Sequence, residues 1–464
     1  MGTPDKKLDY LIQTKNKIKQ AIIDKGVTVT DTDTFRSYAD KIAEIQTGNG
    51  DGEHLVRVID YDGSILKQEY LNEGSIFVLP EPPSNHSRLV FQEWSSPVDI
   101  ENNTIIVGNS DIIIGATYAT ASGLSEFDIT LNKATGLSVT INMDGIKNWG
   151  DGTSDDQTTH IYTDYGDYMI TCTGSTMTTS SSNGLFGQST SNSNGFCTAI
   201  RLSTNITDIG SGSFNCICNL NSITIPNSVI TMTSVCLGAC RKLNSLTIPK
   251  SVTDITYLMC ASCSNLTSVV IPNSIKNIGE MAFSGCYALS NVTIPHGVTI
   301  INKEAFCNCV NLTNVVIPES MVSIGVSAFK GCESLASVVM SNSVVSIDSS
   351  AFYHCHNLTK LVLSNAITTI MASTFQQCYR LNNITLPNNI SSIIESAFAS
   401  CNNVVCYDFT NSTTIPTLSN KNVFSSINIA CKIYVPDNLY DEWIVATNWA
   451  TYANHIYKAS EMPR

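Results

Sequence analysis

Cysteine, histidine and clustered aspartate are the residues of this chain best suited to chemistry, and their spacing points away from reactivity. Of 17 cysteines, eight stand at Cys240, Cys263, Cys286, Cys309, Cys332, Cys355, Cys378 and Cys401, each 23 residues after the last. A disulfide framework has irregular spacing and few apolar residues between its cysteines, whereas here each cysteine returns in one apolar context. That pattern predicts small buried hydrophobes. Cys260-x-x-Cys263 has the spacing of half a zinc site, yet Cys260 takes a position held by Phe elsewhere, so core packing is the expectation. Asp151, Asp155 and Asp156 raise calcium, but their spacing does not fit an EF-hand loop, and turn aspartates ordinarily accept backbone N–H bonds. His354 and His356 stand two apart with no supporting carboxylate motif. There is no nucleophile elbow, phosphate loop or HExxH helix. No catalytic residue, cofactor or metal ligand is assigned, and the chain reads as a binding protein, not an enzyme.

What positions these residues is an internal repeat. Leucine recurs at 220, 243, 266, 289, 312, 335, 358 and 381, and proline at 226, 249, 272, 295, 318 and 387, with Ser341 and Ser364 in the two gaps. Isoleucine holds 209, 255, 278, 301, 324, 347, 370 and 393, with Met232 as the exception. Phenylalanine holds 214, 283, 306, 329, 352, 375 and 398, with Leu237 and Cys260 substituting early. In one turn, Leu266, Val269 and Ile271 should point inward along a strand that Pro272 ends, because proline has no N–H for a ladder. Ile275 and Ile278 make a second inward stretch, and Ala282-Phe283 enters a tight corner. One turn cannot bury these groups alone, so turns must stack.

Phrases such as LTSVVIPNSIKNIGEMAFSGC and LTNVVIPESMVSIGVSAFKGC resemble the BspA-type (treponemal) leucine-rich repeats of bacterial surface and phage-associated proteins, over roughly residues 197–406. The resemblance implies a right-handed solenoid that binds macromolecules without catalysis. Two surfaces are candidates. One is a strand-face stripe of Thr224, Thr247, Val270, Thr293, Val316, Val339, Val362 and Thr385, expected between the inward positions. The other is the edge after the cysteine column, with Arg241, Lys242, Tyr287, His356, Tyr379 and Arg380, and with Tyr353 and His354 close by; Tyr and Arg are common interface anchors, and aromatic rings stack on sugars.

The expected fold is mainly β and multi-domain: an N-terminal helical segment (1–47), two small β-modules (53–119 and 120–175), a leucine-rich-repeat solenoid (184–410) and a C-terminal cap (411–464). Residues 5–24 place Leu8, Leu11, Ile12, Ile18 and Ile22 on one helical face, and Asp33–Ile45 predicts a second helix. This segment resembles N-termini of phage and prophage tail proteins. VRVIDYDGSILKQEYLNEGSIFVLPEPP alternates around an Asp62-Gly63 turn and resembles the β-grasp-like B-repeat of internalin-type surface proteins, with Trp94 as a core or edge plug. Residues 128–174 resemble a PKD-type β-sandwich, with Trp149-Gly150-Asp151-Gly152-Thr153 as its hairpin. In the tail, a strand followed by a helix carrying Trp443 and Trp449 should close the last turn, since a solenoid needs caps.

Charge is unevenly placed. Residues 184–410 hold nine Lys/Arg and nine Asp/Glu; 26 less 9 leaves 17 basic and 39 less 9 leaves 30 acidic residues elsewhere, which is the whole net charge of −13. No basic stripe exists to meet a nucleic acid. No apolar run approaches a membrane span, and no secretory signal is visible. The expectation is a phage or prophage tail-associated adhesin or receptor-binding fibre located in the virion. Its partners would be a host-surface protein or glycan and, through residues 1–47, other tail proteins; resemblance to tail fibres implies a homotrimer. The alternatives are a bacterial cell-surface adhesin of the same repeat type and a structural virion or decoration protein.

Overall fold

The structure, a computed structural model, describes residues 53–84, 86–131, 138–177, 183–188 and 196–463. The helical segment expected over residues 1–47 lies outside the described residues. The fold is mainly β, with a solenoid of about 11 turns. Each turn contributes a short front strand, such as Ser245–Thr247, Ser268–Val270 or Asn291–Thr293. It also contributes a two-residue back strand such as Asn277–Ile278. Both kinds pair in parallel with the next turn at an offset of one repeat, for example Ser245 with Ser268 and Ile278 with Ile301. Leu266, Val269, Ile271, Ile275, Ile278, Ala282 and Phe283 are all buried, as the spacing requires.

The corner between the ladders is built from two stacks. The rings of Phe283, Phe306, Phe329, Phe352, Phe375 and Phe398 lie nearly parallel at 5.4–5.6 Å between centroids. That offset stacking adds to their area burial. Beside them runs a sulfur ladder: each column thiol donates to the backbone carbonyl of the Phe-column residue of the preceding turn, as Cys309 does to Phe283 (3.3 Å) and Cys401 to Phe375 (3.1 Å). Cysteine therefore does more here than fill space, because its weak S–H donor gives a second bond to a carbonyl that already accepts a backbone N–H, as Phe283 does from Cys286 (3.2 Å). All 17 cysteines are free. Cys260 and Cys263 are fully buried, and no metal-holding group of three His, Cys, Asp or Glu occurs among the described residues. Burial pushes the thiols of Cys309 and Cys332 well above their ordinary range, which makes them poor nucleophiles.

Each corner also needs two left-handed residues. One column runs through Val235, Leu258, Met281, Glu304, Ser327, Ser350, Ser373 and Ser396, all with φ between +54° and +61°. The other includes Ala239, Ser262, Gly285, Asn308, Gly331, His354 and Gln377. Glycine, the residue freest to adopt this conformation, fills only three of these corner positions, Gly285, Gly331 and, one turn before Val235, Gly212.

The front of the chain folds back on the solenoid. Strands β1 (Glu53–Ile59), β2 (Ile65–Asn72), β3 (Ile76–Val78), β4 (Leu89–Ser95), β5 (Thr104–Ile106) and β6 (Ile112–Thr120) form a small module. Its main sheet has the order β2-β1-β6-β4, with β3 and β5 paired as a ribbon. Val56, Val58, Phe77, Ile105, Ile112 and Ile114 make its own core. Trp94 packs against Phe91 at 5.0 Å, half-buried as an edge plug.

Next, β7 (Ser125–Leu131) pairs on one side with Gly166–Cys172 and on the other with Cys197–Arg201, which itself pairs with the solenoid strand Ser222–Thr224. The sheet of the second module thus runs directly into the repeat ladder, and one apolar core extends from Phe127 to Ile456. Arg201 fastens the joint with bonds to Glu126 (2.9 Å) and Asp128 (2.6 Å). The second module caps the solenoid because its edge strand needs a partner and the first repeat strand supplies one.

At the far end, Lys432–Val435 and Ile456–Lys458 continue the front ladder. Trp443 and Trp449 are buried against Phe409 at 5.5 Å each. They do not share one helix: Trp443 ends the helical turn Tyr440–Trp443, Asn448 takes φ +65°, and Trp449 opens a separate 3-10 turn. The break lets both rings face the last repeat turn. No helix among the described residues is long and apolar enough to cross a membrane.

Candidate binding surfaces

The strand-face stripe is one continuous column in sequence and two different surfaces in the structure. Thr224, Thr247 and Val270, expected to be exposed, are buried. The cause is the first module, whose sheet lies on them: Ile59, Ile113 and Val270 form a small apolar cluster of their own. Gly115 of β6 comes so close that a Cβ there would stand 2.9 Å from both Thr247 Cγ2 and Val270 Cγ2. Polar bonds frame this seat. Ser95 Oγ donates to the Ile248 carbonyl (2.6 Å), Asn273 N–H to the Ser96 carbonyl (2.8 Å), Ser245 Oγ to the Tyr61 carbonyl (3.1 Å), and Asn227 N–H to Gln92 Oε1 (2.7 Å). Lys250 pairs with Glu93.

The cover ends at Asp111, whose carbonyl accepts from Thr293 Oγ1 (2.6 Å). Thr293 and Val316 are half-buried beside that boundary, and beyond it Val339 (45% exposed), Val362 (42%) and Thr385 stand open. The open half of the stripe, with Lys360 on its flank, is a flat face of branched side chains on a rigid ladder.

The loop edge divides as well. Tyr353, His354, His356 and Tyr379 come together, with ring centroids at 4.0 Å, 5.1 Å and 4.9 Å in succession. Arg380 follows Tyr379 and is exposed. Arg241, Lys242 and Tyr287 are exposed but lie on other turns, because four repeats separate Tyr287 from Tyr379 at about 4.8 Å per strand. The expected eight-residue edge is therefore a compact aromatic cluster plus three distant side chains. Burial, His356 and Lys330 all act to lower the His354 pKa. His356 Nδ1 lies 3.9 Å from Glu333 Oε2, and Lys330 Nζ sits 5.4 Å from the Tyr353 ring centre.

The acidic turn is occupied by its own neighbours. Asp151 takes bonds from Thr153 Oγ1 (2.6 Å) and the His160 ring (2.7 Å), while Asp155 accepts from Trp149 Nε1 (3.0 Å). His160 stacks on Trp149 at 5.0 Å. These contacts hold a hairpin in shape.

A family model described as a BspA type leucine-rich repeat region matches residues 189–313 and 299–430, together just over half of the chain. The chain belongs to that family. The stacked Leu, Pro, Ile, Phe and Cys columns are the BspA-type repeat, and the match begins after the two front modules. Among solved structures, a leucine-rich cell surface protein from Faecalibacterium prausnitzii is 27% identical, covering 51% of this chain and 78% of that one, with a TM-score of 0.34. A leucine-rich repeat protein of T. pallidum is 29% identical over 37% of this chain and 81% of that one, also at 0.34. The pneumococcal vaccine antigen PcpA is 17% identical over 55% and 65%, at 0.37. No curated protein sequence matches the chain. None of these comparisons supports the expected phage-tail role.

Proposed function

We propose that this BspA-type protein is a non-enzymatic, cell-surface adhesin of a bacterium, and that it holds a macromolecular partner on the open half of its strand face. The observation that carries the reading is the divided stripe. One half is already a protein-binding surface, filled by the chain's own first module, and the other half continues the same ladder with Val339, Val362 and Thr385 uncovered. A rigid face of β-branched side chains loses little conformational entropy on contact. The family supports binding rather than catalysis, and the buried cysteine column is in keeping with it.

Purified full-length chain should bind intact host cells in flow cytometry, and the double variant Val339→Glu/Val362→Glu should bind at least about tenfold less with an unchanged melting curve. Wild-type-level binding by that variant would overturn the strand-face assignment. Gold-labelled antibody to residues 197–406 should decorate intact bacteria; label on purified phage particles in place of cells would overturn the surface reading.

A further inference from the structure

We infer that the loop edge around Tyr353 and Tyr379 is a carbohydrate subsite that takes a neutral hexopyranose glycan, on a surface separate from the strand face. Repeat geometry builds the platform. His356 and Tyr379 occupy the same column in successive turns, so the ladder stacks their rings at 4.9 Å and 24°. His354 extends the stack to Tyr353 from a left-handed position, φ +62°, whose equivalents in other turns are Ala239, Ser262, Gly285, Asn308, Gly331 and Gln377. An imidazole in that strained column is unlike every other turn.

The rim decides the ligand class. A pyranose ring has an apolar C–H face and an edge of hydroxyls that both donate and accept. Tyr379, the exposed end of the stack, offers its outer surface to the first, and Glu333, Gln377, Arg380 and Asn402 offer planar polar groups to the second. Tyr379 is 36% exposed, and Arg380, Glu333 and Asn402 are exposed beside it. Protein hot spots instead centre on well-packed, desolvated pockets. The exposed aliphatic side chains of these turns, Val339, Val345 and Val362, lie on or beside the strand ladders rather than at this edge. Lys330 already rests over Tyr353, and Glu333 faces His356. Glu333 adds a negative charge at the same edge as Arg380, which disfavours an acidic sugar relative to a neutral one. Burial, His356 and Lys330 lower the His354 pKa, and its ring serves to support the stack between Tyr353 and His356.

Saturation-transfer NMR on the full chain tests this, with lactose, cellobiose, chitobiose and mannobiose as neutral probes and 3′-sialyllactose as the acidic comparison. At least one neutral disaccharide should show transfer to its ring C–H protons. Tyr379→Ala and Tyr353→Ala should each weaken it about tenfold, Tyr379→Phe should keep it, and Tyr287→Ala should leave it unchanged. Melting curves identify any variant that fails to fold, and Tyr379→Leu, which keeps apolar volume without a ring and should also weaken binding, then carries the comparison against Tyr379→Phe. Transfer to sialyllactose alone, transfer to none of the probes, or neutral binding indifferent to Tyr379→Ala would each overturn the assignment.

Discussion

Replacing Gly115 should lift the first module off the solenoid. In an isolated strand, glycine to alanine is favourable by about 0.5–1 kcal/mol, since glycine has more freedom to lose on folding. Here the new methyl would meet Thr247 and Val270, at 2.9 Å from a methyl carbon of each and nearer still to Thr247 Oγ1. The strand cannot step aside, because Gly115 is laddered to Ile59 on one side and Ser95 on the other. Overpacking of this kind costs about 1–3 kcal/mol, so the steric term wins and Gly115→Ala should destabilise the docked state. A larger Gly115→Val change should undock the module. That returns Ile59, Ile113 and Val270 to water at up to about 1.5–3 kcal/mol each, an upper bound because an unfolded chain already buries some of that surface.

Hydrogen exchange is the direct assay: the Asn227 and Asn273 amides, which donate to Gln92 and Ser96 of the module, should lose protection while those of the turns beyond Val339 keep theirs. Thr247→Ala removes the nearest atoms, so the double variant with Gly115→Ala should recover part of the loss, a coupling of about 0.5–3 kcal/mol. Unchanged exchange in Gly115→Ala, or no relief from Thr247→Ala, would refute the docking argument.

Two further predictions concern backbone strain and pH. Val235 is β-branched at φ +61°, so Val235→Asn should raise the urea midpoint by the equivalent of about 1 kcal/mol; a lowered midpoint would contradict the left-handed corner. Burial pushes the Asp151 carboxyl up, but bonds from Thr153 and His160 outweigh it and hold the pKa at about 2. Because this folded-state value is depressed, the stabilisation is present above the ordinary carboxylate value near 4 and is lost as pH falls through about 2. The melting difference between the wild type and Asp151→Asn should accordingly shrink across that window, and a difference that grows on acidification would refute the bonding.

The repeat was legible because its physics is nearly one-dimensional. A buried Leu, Ile or Phe needs only a like residue 23 positions away to complete its contact, so each column in the sequence is also a stack in space. The end cap was legible in kind, since two tryptophans after the last repeat have an exposed turn to cover. Its division into two helical turns was not, because that depends on the single left-handed Asn448. The sulfur-to-carbonyl ladder was also hidden: spacing marks the cysteines as buried but says nothing of the carbonyl each thiol reaches.

Sequence by itself therefore determined the period, the buried columns, the mainly β class and the absence of a basic stripe, all of which follow from residue type at fixed spacing. Only the tertiary structure decided which half of the strand face is available. Thr247 and Thr385 occupy the same column in the same pattern, yet one is buried under Gly115 and the other stands open. The difference arises from contacts between residues more than 130 positions apart, as between Ser95 and Ile248. No periodicity records such contacts, because they depend on how one finished surface fits another.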